Sequence, residues 1–460
     1  MILDLLLDLE KNPSAVPYGT ESYNLDRFRA WLESLGTPQA GQVFLHIAGT
    51  KGKGSTAALS EALLGGAGIA TCMYSSPHLE HFGERFRVDG VPWDFEEFKD
   101  RLQAFYSSLG PEQRHGLDTP HRFRTVFETL TALALVEFRA IAARRRASGD
   151  QRPAVVVWET GLGGRLDCTN VVDPAVTTIT AIGMDHMKIL GETIEEIARE
   201  KAGIIKPGVP VVISRQAPEH EARVLPVLLA RAQEVGAPVV RAWDHNPVLH
   251  STPTDEGQRL RIRFPDGSQH DAALPLRGQF QRANVEAAIA SAWYAAQAAG
   301  IRPSAETMAA GLARANWPGR LEIHRDAAGR MLVLDGAHCP LSAAALGTEL
   351  RGLFPARRGG QFVLLFAMQR DKQHREFLVS LLSRVPPETI AGIIAYPVAG
   401  PRGAEPADLA RVAQQAGFPA ASAASPEDAL RDARATGCHI VAAGTLYTIG
   451  ALRRQWQAGT

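Results

Sequence analysis

The sequence predicts an α/β protein with parallel sheets, and three observations carry that reading. Short apolar or β-branched runs alternate with helical patterns over most of the 460 residues. One such run, Val43 to Ala48, passes through a Gly- and Lys-rich turn into a helical pattern covering Ala57 to Leu64. The predicted strands end in polar or Gly-containing loops, and open parallel sheets bind ligands beyond the carboxyl ends of their strands.

Further strands are expected at Ala154–Trp158, Val176–Ile182 and Val209–Ser214. Between them, Thr125 to Arg139 has the helical period, and Thr193-Ile-Glu-Glu196 is a capping box opening a helix to about Ala202. Arg241 to Leu274 differs: its segments have mixed polarity and Asp266-Gly267 suits a hairpin turn, so an antiparallel edge or flap is expected there. The Ala-rich stretch from Ala287 to Ile301 is interrupted by Ser291 and Gln297, which fits a buried helix better than a membrane span. After Trp317-Pro318-Gly319 the alternation restarts, with strands expected at Met331–Leu334, Phe362–Phe366, Gly392–Tyr396 and His439–Ala442. Pro and Gly place a domain boundary near Trp317–Arg320, giving domains of residues 1–317 and 318–460.

Composition narrows the function classes. Lys plus Arg and Asp plus Glu both number 49, so the net charge is zero, and a chain-wide nucleic-acid or membrane-surface binder is disfavoured. Only 8 of the 49 cations are Lys, which makes each lysine a clue. Cys72, Cys168, Cys339 and Cys438 lie far apart without metal-ligand spacing and read as reduced thiols in a cytoplasmic protein. Met1 to Glu10 carries Asp4 and Asp8 and lacks a basic start, unlike a signal peptide.

The strongest local motif is His46-Ile-Ala-Gly-Thr-Lys-Gly-Lys-Gly-Ser55, between a strand and a helix. Glycines let backbone amides crowd around phosphate oxygens, the helix N-terminus adds positive potential, Lys53 supplies a point charge and Ser55 a Mg²⁺ ligand. It departs from the common GxxxxGK[ST] form at Ile47 and Gly54. A second motif, Val155-Val-Val-Trp-Glu159 followed by Thr160 to Asn170, delivers a carboxylate from a strand end, and Mg²⁺ prefers such hard oxygen ligands. A third, Thr180 to His186, ends another strand, and the following helix carries Lys201. On spacing alone His186 reads as a structural hydrogen-bonder. Lys201, among Glu192, Glu195, Glu196 and Glu200, reads as a salt-bridge partner.

Together these segments resemble the folylpolyglutamate synthase/dihydrofolate synthase family, a branch of the Mur-type ATP-dependent amide ligases. The resemblance rests on His46–Ser55, Ser75-Ser-Pro-His-Leu79 with Glu84–Gly90, Glu159–Val171, Gly183–His186 through Glu200–Gly208, and Gly278–Asn284. In the distal half it rests on Trp317–Glu322, Leu334–His338 and Gly444–Tyr447. Lys51 stands where many bacterial members have Asn, and Cys339 where Asn usually follows the His. The implied fold is a P-loop NTPase-like N-terminal domain of the Mur ligase central type plus a smaller Rossmann-like C-terminal domain. The resemblance also implies roles. Gly49, Thr50, Lys51, Gly52, Lys53, Gly54, Ser55 and Thr56 would hold ATP, with Asn284 and Arg320 as further contacts. Ser55 and Glu159 would bind one Mg²⁺, and Glu159, His186 and a carbamylated Lys201 a second. Asp335 and His338 would reach the nucleotide or the incoming amino acid, and Ser76 and Asp167 would serve catalysis or the substrate region.

The implied activity adds L-glutamate to a folate through an acyl phosphate, with ADP and phosphate released, and also joins glutamate to dihydropteroate. Water would destroy the acyl phosphate, so closure of the two domains over the cleft is expected. A monomer without nucleic-acid or membrane partners is expected as well. A muramyl-peptide ligase of the same superfamily and a P-loop NTPase switch are the alternatives. The Ser76–Leu79 and Glu84–Gly90 segments favour folate over the first, and the absence of an Asn/Thr-Lys-x-Asp element disfavours the second.

Overall fold

The structure is a computed structural model that describes residues 3, 24–114, 117, 125–355, 360–398, 400 and 402–458. The segment Met1–Glu10 therefore lies outside the described residues apart from Leu3. The chain divides into two compact units, one of Met1–Pro77, His81–Pro275 and Gln281–Asn316, the other of His78–Glu80, Leu276–Phe280 and Trp317–Thr460.

The first unit contains an eight-stranded sheet. Its strands are β1 (Phe44–Ala48), β2 (Ala70–Tyr74), β3 (Phe86–Val88), β4 (Val91–Pro92), β5 (Ala154–Glu159), β6 (Pro174–Ile179), β7 (Val211–Ile213) and β8 (Val239–Arg241), in the order β4-β3-β2-β5-β1-β6-β7-β8. From β2 to β8 all pairs are parallel, while β3 and β4 add an antiparallel edge. Strands β1, β2 and β5 are buried almost throughout, as expected for apolar runs covered on both faces. Ile47 pairs with Glu159 and Ala48 with Ile179, so β1, β5 and β6 end at one edge of the sheet. An aromatic core gathers Phe44, Tyr74, Phe86, Trp93 and Trp158, with Phe86 and Trp93 stacked at 4.5 Å.

Element boundaries differ from the sequence reading for local reasons. The helix after β1 starts at Lys53, because Gly52 already turns the chain in a left-handed conformation as its N-cap. Strand β6 stops at Ile179, since the Ala181 carbonyl is used by the Thr50 and Lys51 amides rather than by a strand neighbour. The helix predicted from Thr125 runs over Val126–Ala147, with both capping-box bonds formed and Arg144 to Arg146 in its last turn, where cations suit the helix dipole. The helix Ile194–Ala202 likewise has both bonds of its Thr193/Glu196 capping box. The helix Gln281–Ala298 is buried nearly all round, and Ser291 bonds Thr178 of β6 at 2.6 Å. The expected antiparallel flap is a three-stranded sheet of β9 (Val248–Thr254), β10 (Gly257–Arg263) and β11 (Gln269–Leu274), and Gly267 at φ 85° lies in the turn between β10 and β11. No helix among the described residues is long and apolar enough to cross a membrane.

The second unit holds a six-stranded sheet of β12 (Glu322–Arg325), β13 (Met331–Leu334), β14 (Phe362–Phe366), β15 (Ile390–Ala395), β16 (Ala420–Ser422) and β17 (His439–Ala443), ordered β12-β13-β17-β14-β15-β16. Only the edge strand β12 runs antiparallel to its neighbour. Period-two alternation sends Val333, Phe362, Leu364, Phe366 and Val441 into one core, and Leu332, Leu334, Val363, Leu365 and Ile440 into another. That double burial is why these strands read as unbroken apolar runs.

Candidate active site

The loop between β1 and its helix is shaped by two glycines. Gly49 (φ 153°) and Gly52 (φ 90°) adopt backbone conformations that side chains disfavour, and a Cβ would collide with Thr180 at the first and with Asn284 at the second. The amides of Thr50 and Lys51 both donate to the Ala181 carbonyl, at 2.9 and 3.0 Å, and Thr50 Oγ1 donates to the Gly183 carbonyl at 3.2 Å. The loop is thereby fastened to the segment after β6. Gly54, Ser55 and Thr56 follow in the first turn of the helix, which carries no acidic residue, so its positive N-terminal potential is not cancelled locally.

Charged side chains converge here from three strand ends. Lys51 Nζ pairs with Asp185 Oδ2 at 3.0 Å, and Lys53 Nζ lies 3.7 Å from Glu159 Oε1. The other Glu159 oxygen accepts the backbone amide of Ser76 at 3.2 Å, tying the loop after β2 to the end of β5. His186 is held in a left-handed conformation (φ 53°), its side chain 44 % exposed and its Nε2 3.9 Å from Asp185 Oδ1.

Lys201 is the least expected member. It is 4 % exposed, and its amine is pushed down to about 7, first by burial and then by the nearby Lys53, with Lys51 adding to the effect and Asp185 opposing it. The salt-bridge reading from spacing is overturned. Glu200 pairs with Arg165 at 2.8 Å and Glu195 with Arg223 at 2.6 Å, while Glu196 closes the helix cap. The arginines take the half-buried carboxylates of Glu200 and Glu195, and Lys201 turns inward.

Asp167 is buried behind this group. Its carboxylate accepts the amides of Leu162 at 2.7 Å and Thr169 at 3.0 Å, which organise the glycine-rich loop. Asn170 then bridges that loop to the Lys201 helix, its Nδ2 reaching the carbonyls of Arg165 and Gly203 at 3.0 and 3.2 Å. Asn284 is buried against Gly52 and donates to Gln281 Oε1 at 2.8 Å. Gly49 to Thr56, Ser76, Glu159, His186, Lys201 and Asn284 thus belong to the first unit, around the carboxyl ends of its central strands, with Asp167 behind them.

Arg320, just before β12, and Asp335 and His338, after β13, form a separate group in the second unit. Asp335 accepts the amides of Leu321 and Ala337, both at 2.8 Å, and the first bond holds Leu321 at φ 46°. Arg320 Nη1 donates to the Gly319 carbonyl at 2.9 Å, and His338 Nδ1 to the Gly336 carbonyl at 2.8 Å. Cys339 is a buried free thiol beside Ser342, and the other three cysteines are free as well.

Sequence reasoning assigned no role to Asp185, the partner of Lys51, or to Gln281, the partner of Asn284. Asp185 stood in view between Met184 and His186, but only the pairing across 134 positions gives it a function.

Residues 146–292 match the Mur ligase middle domain, and residues 319–445 match the family described as Mur ligase, glutamate ligase domain. The dihydrofolate synthase/folylpolyglutamate synthase of Bacillus subtilis is 33% identical over 372 residues, 81% of this chain and 80% of that protein. The structure of Mycobacterium tuberculosis folylpolyglutamate synthase complexed with ADP superposes with a TM-score of 0.83 at 29% identity, covering 99% of both chains. A folylpolyglutamate synthase complex with AMPPCP and folate gives a TM-score of 0.75 at 28% identity, over 97% of this chain and 98% of that one.

Gly52→Ala tests the loop geometry. The added methyl must displace Asn284 and strain a positive φ, so affinity for a nucleoside triphosphate, measured by calorimetry, should fall by about tenfold or more. Unchanged affinity would show that the loop does not cradle phosphate.

Proposed function

The chain belongs to the folylpolyglutamate synthase/dihydrofolate synthase family of Mur-type ligases, and we propose that it is an ATP-dependent ligase adding L-glutamate to tetrahydrofolate to make folylpolyglutamate. Joining glutamate to dihydropteroate belongs to the same reading, as do action as a monomer in the cytoplasm and a division into an ATP-binding domain, residues 1–317, and a C-terminal domain, residues 318–460. The observation that carries it is the convergence of Lys51, Lys53 and Lys201 on strand ends that offer Glu159 and Asp185 as nearby carboxylates. Such a site is built to receive a polyanion.

The chemistry requires this. A carboxylate cannot lose oxide to an amine, so its oxygen must first attack the γ-phosphorus of ATP, giving an acyl phosphate and ADP. The amine of glutamate then attacks the acyl carbon, the amide forms, and phosphate leaves with the original oxygen. Both partners in the first step are anions, and Lys53 with the amides of the glycine loop offsets their repulsion. Asn284 and Arg320 contact ATP in this reading, Asp335 and His338 serve the nucleotide or the incoming glutamate, and Ser76 stands on the substrate side.

The residues fit Mg²⁺. Ser55 offers a hydroxyl and Glu159 a carboxylate, few but hard ligands of the kind an ion that keeps its waters and shares phosphate oxygens requires. Glu159, His186 and Lys201 would hold a second ion. When bound, Mg²⁺ neutralises charge on the phosphates and aligns them. Lys201 suits the role only after modification: its neutral amine takes up CO₂ to give a carbamate and releases a proton, turning a cation into an oxygen ligand. The neighbours Lys51 and Lys53, which penalise the ammonium, stabilise the carbamate.

ADP release should depend on both glutamate and a reduced folate monoglutamate or dihydropteroate. Release that ignores both would overturn the assignment. Lys201→Arg keeps the charge but cannot form the carbamate, and should lower kcat by about 100-fold or more.

The amine also predicts a pH dependence. Its folded-state value, about 7, lies below the usual 10.5, so the folded protein binds this proton less tightly than the unfolded chain. Protein not yet carbamylated gains stability as pH rises from about 7 to about 10.5 and lacks that gain below about 7. At fixed dissolved CO₂, reactivation of CO₂-stripped enzyme should slow by about tenfold per pH unit below about 7. A flat profile would contradict carbamylation.

A further inference from the structure

Strand β1 carries a histidine at its centre where its neighbours are apolar. His46 is fully buried, flanked by Trp158 of β5 and Thr177 of β6 in the sheet register. Its Nε2 lies 3.0 Å from Thr169 Oγ1, and Thr169 Oγ1 in turn meets Asp167 Oδ1. Two anchors beside Glu159 converge on this chain. Asp167 Oδ2 accepts the amide of Leu162, three residues after Glu159, and Trp158 Nε1, one residue before it, donates to the Thr169 carbonyl at 3.1 Å.

We propose that His46 is a positioning residue of the ligase, donating through Nε2 to Thr169 and so fixing, by way of Asp167 and Trp158, the chain on both sides of Glu159. The inference rests on the ligase reading above. Proton counting sets the tautomer. Burial raises the Asp167 carboxyl while the amides of Leu162 and Thr169 hold it down; in the carboxylate form that those bonds favour, it takes the one hydroxyl proton of Thr169 as well. The lone pair of Thr169 Oγ1 then accepts from Nε2–H of His46. Nδ1 must carry a lone pair, and among the described residues it has no hydrogen-bond partner. An apolar residue in this place would avoid that orphaned nitrogen, so what the histidine adds is the Nε2 donor. Burial, assisted by Lys206, pushes the ring down to about 3 and keeps it neutral.

The test compares His46→Gln, whose amide nitrogen can stand near Nε2, with His46→Leu, and Thr169→Ser with Thr169→Val. Glutamate-dependent ADP release and thermal unfolding are both measured. The Leu and Val variants should lose about tenfold or more in kcat with KM for folate and glutamate within about twofold, and the double variant should be no worse than either single one. The Gln and Ser variants should restore turnover. Should the Leu variant fail to fold, the Ser/Val pair alone decides. In parallel, ¹⁵N spectra of the histidines, assigned by loss in the Leu or Gln variant, should show His46 as a non-titrating Nε2–H tautomer from about pH 5.5 to about pH 9. Wild-type kcat in the Leu or Val variant, additive losses, or an Nδ1–H tautomer would overturn the role. A wild-type chain without glutamate-dependent turnover overturns the ligase reading and the positioning role with it. The Nε2–H signal reports the hydrogen-bond chain independently, so the two failures are distinguishable.

Discussion

Three lysines brought to one edge of a sheet repel one another, and much of the first unit is arranged around that repulsion. Lys51 is answered by Asp185 and Lys53 is near Glu159, while Lys201, buried in their field, is driven towards the neutral amine. The parallel order of β5, β1 and β6 forces the crowding, because it delivers their carboxyl ends to the same place. Gly49 and Gly52 sustain it by allowing the loop to lie against Thr180 and Asn284. With Asp185 and Glu159 answering Lys51 and Lys53, the burial of a third ammonium at Lys201 costs most, and the neutral amine relieves it. The zero net charge of the chain thus conceals a local concentration of lysines at these strand ends.

The strand, Gly- and Lys-rich turn and helix, and the strand-end position of Glu159, were legible in the sequence because these elements follow each other within a few residues and each leaves a local pattern. The scarcity of lysine was informative for a related reason. Arg165 and Arg223 serve half-buried carboxylates, which a planar fork binds well, whereas Lys201 is buried, where an amine can shed its proton and a guanidinium cannot. What the pattern could not reveal was direction. Spacing put Lys201 among Glu192, Glu195, Glu196 and Glu200, and only packing shows that Glu195, Glu196 and Glu200 bond elsewhere while the amine turns in.

Asp167 and Asp335 illustrate a second limit. Both stand in motifs that invite a chemical role, and in both the carboxylate is engaged by two backbone amides. Each also shapes its loop: Asp167 bonds the glycine-rich segment after Glu159, and Asp335 bonds Leu321 in a left-handed turn beside Arg320. Backbone hydrogen bonds of this kind leave no trace in residue spacing. The strands of the second unit were legible for the opposite reason, since burial on both faces demands continuous apolar runs.

Passage of the carboxylate through an acyl phosphate at this edge is read out by a single turnover, with ATP and glutamate, of a folate substrate whose reacting carboxylate bears ¹⁸O in both oxygens. One ¹⁸O should appear in the released inorganic phosphate and one should be retained in the new amide. Phosphate free of label, with product formed, would contradict it.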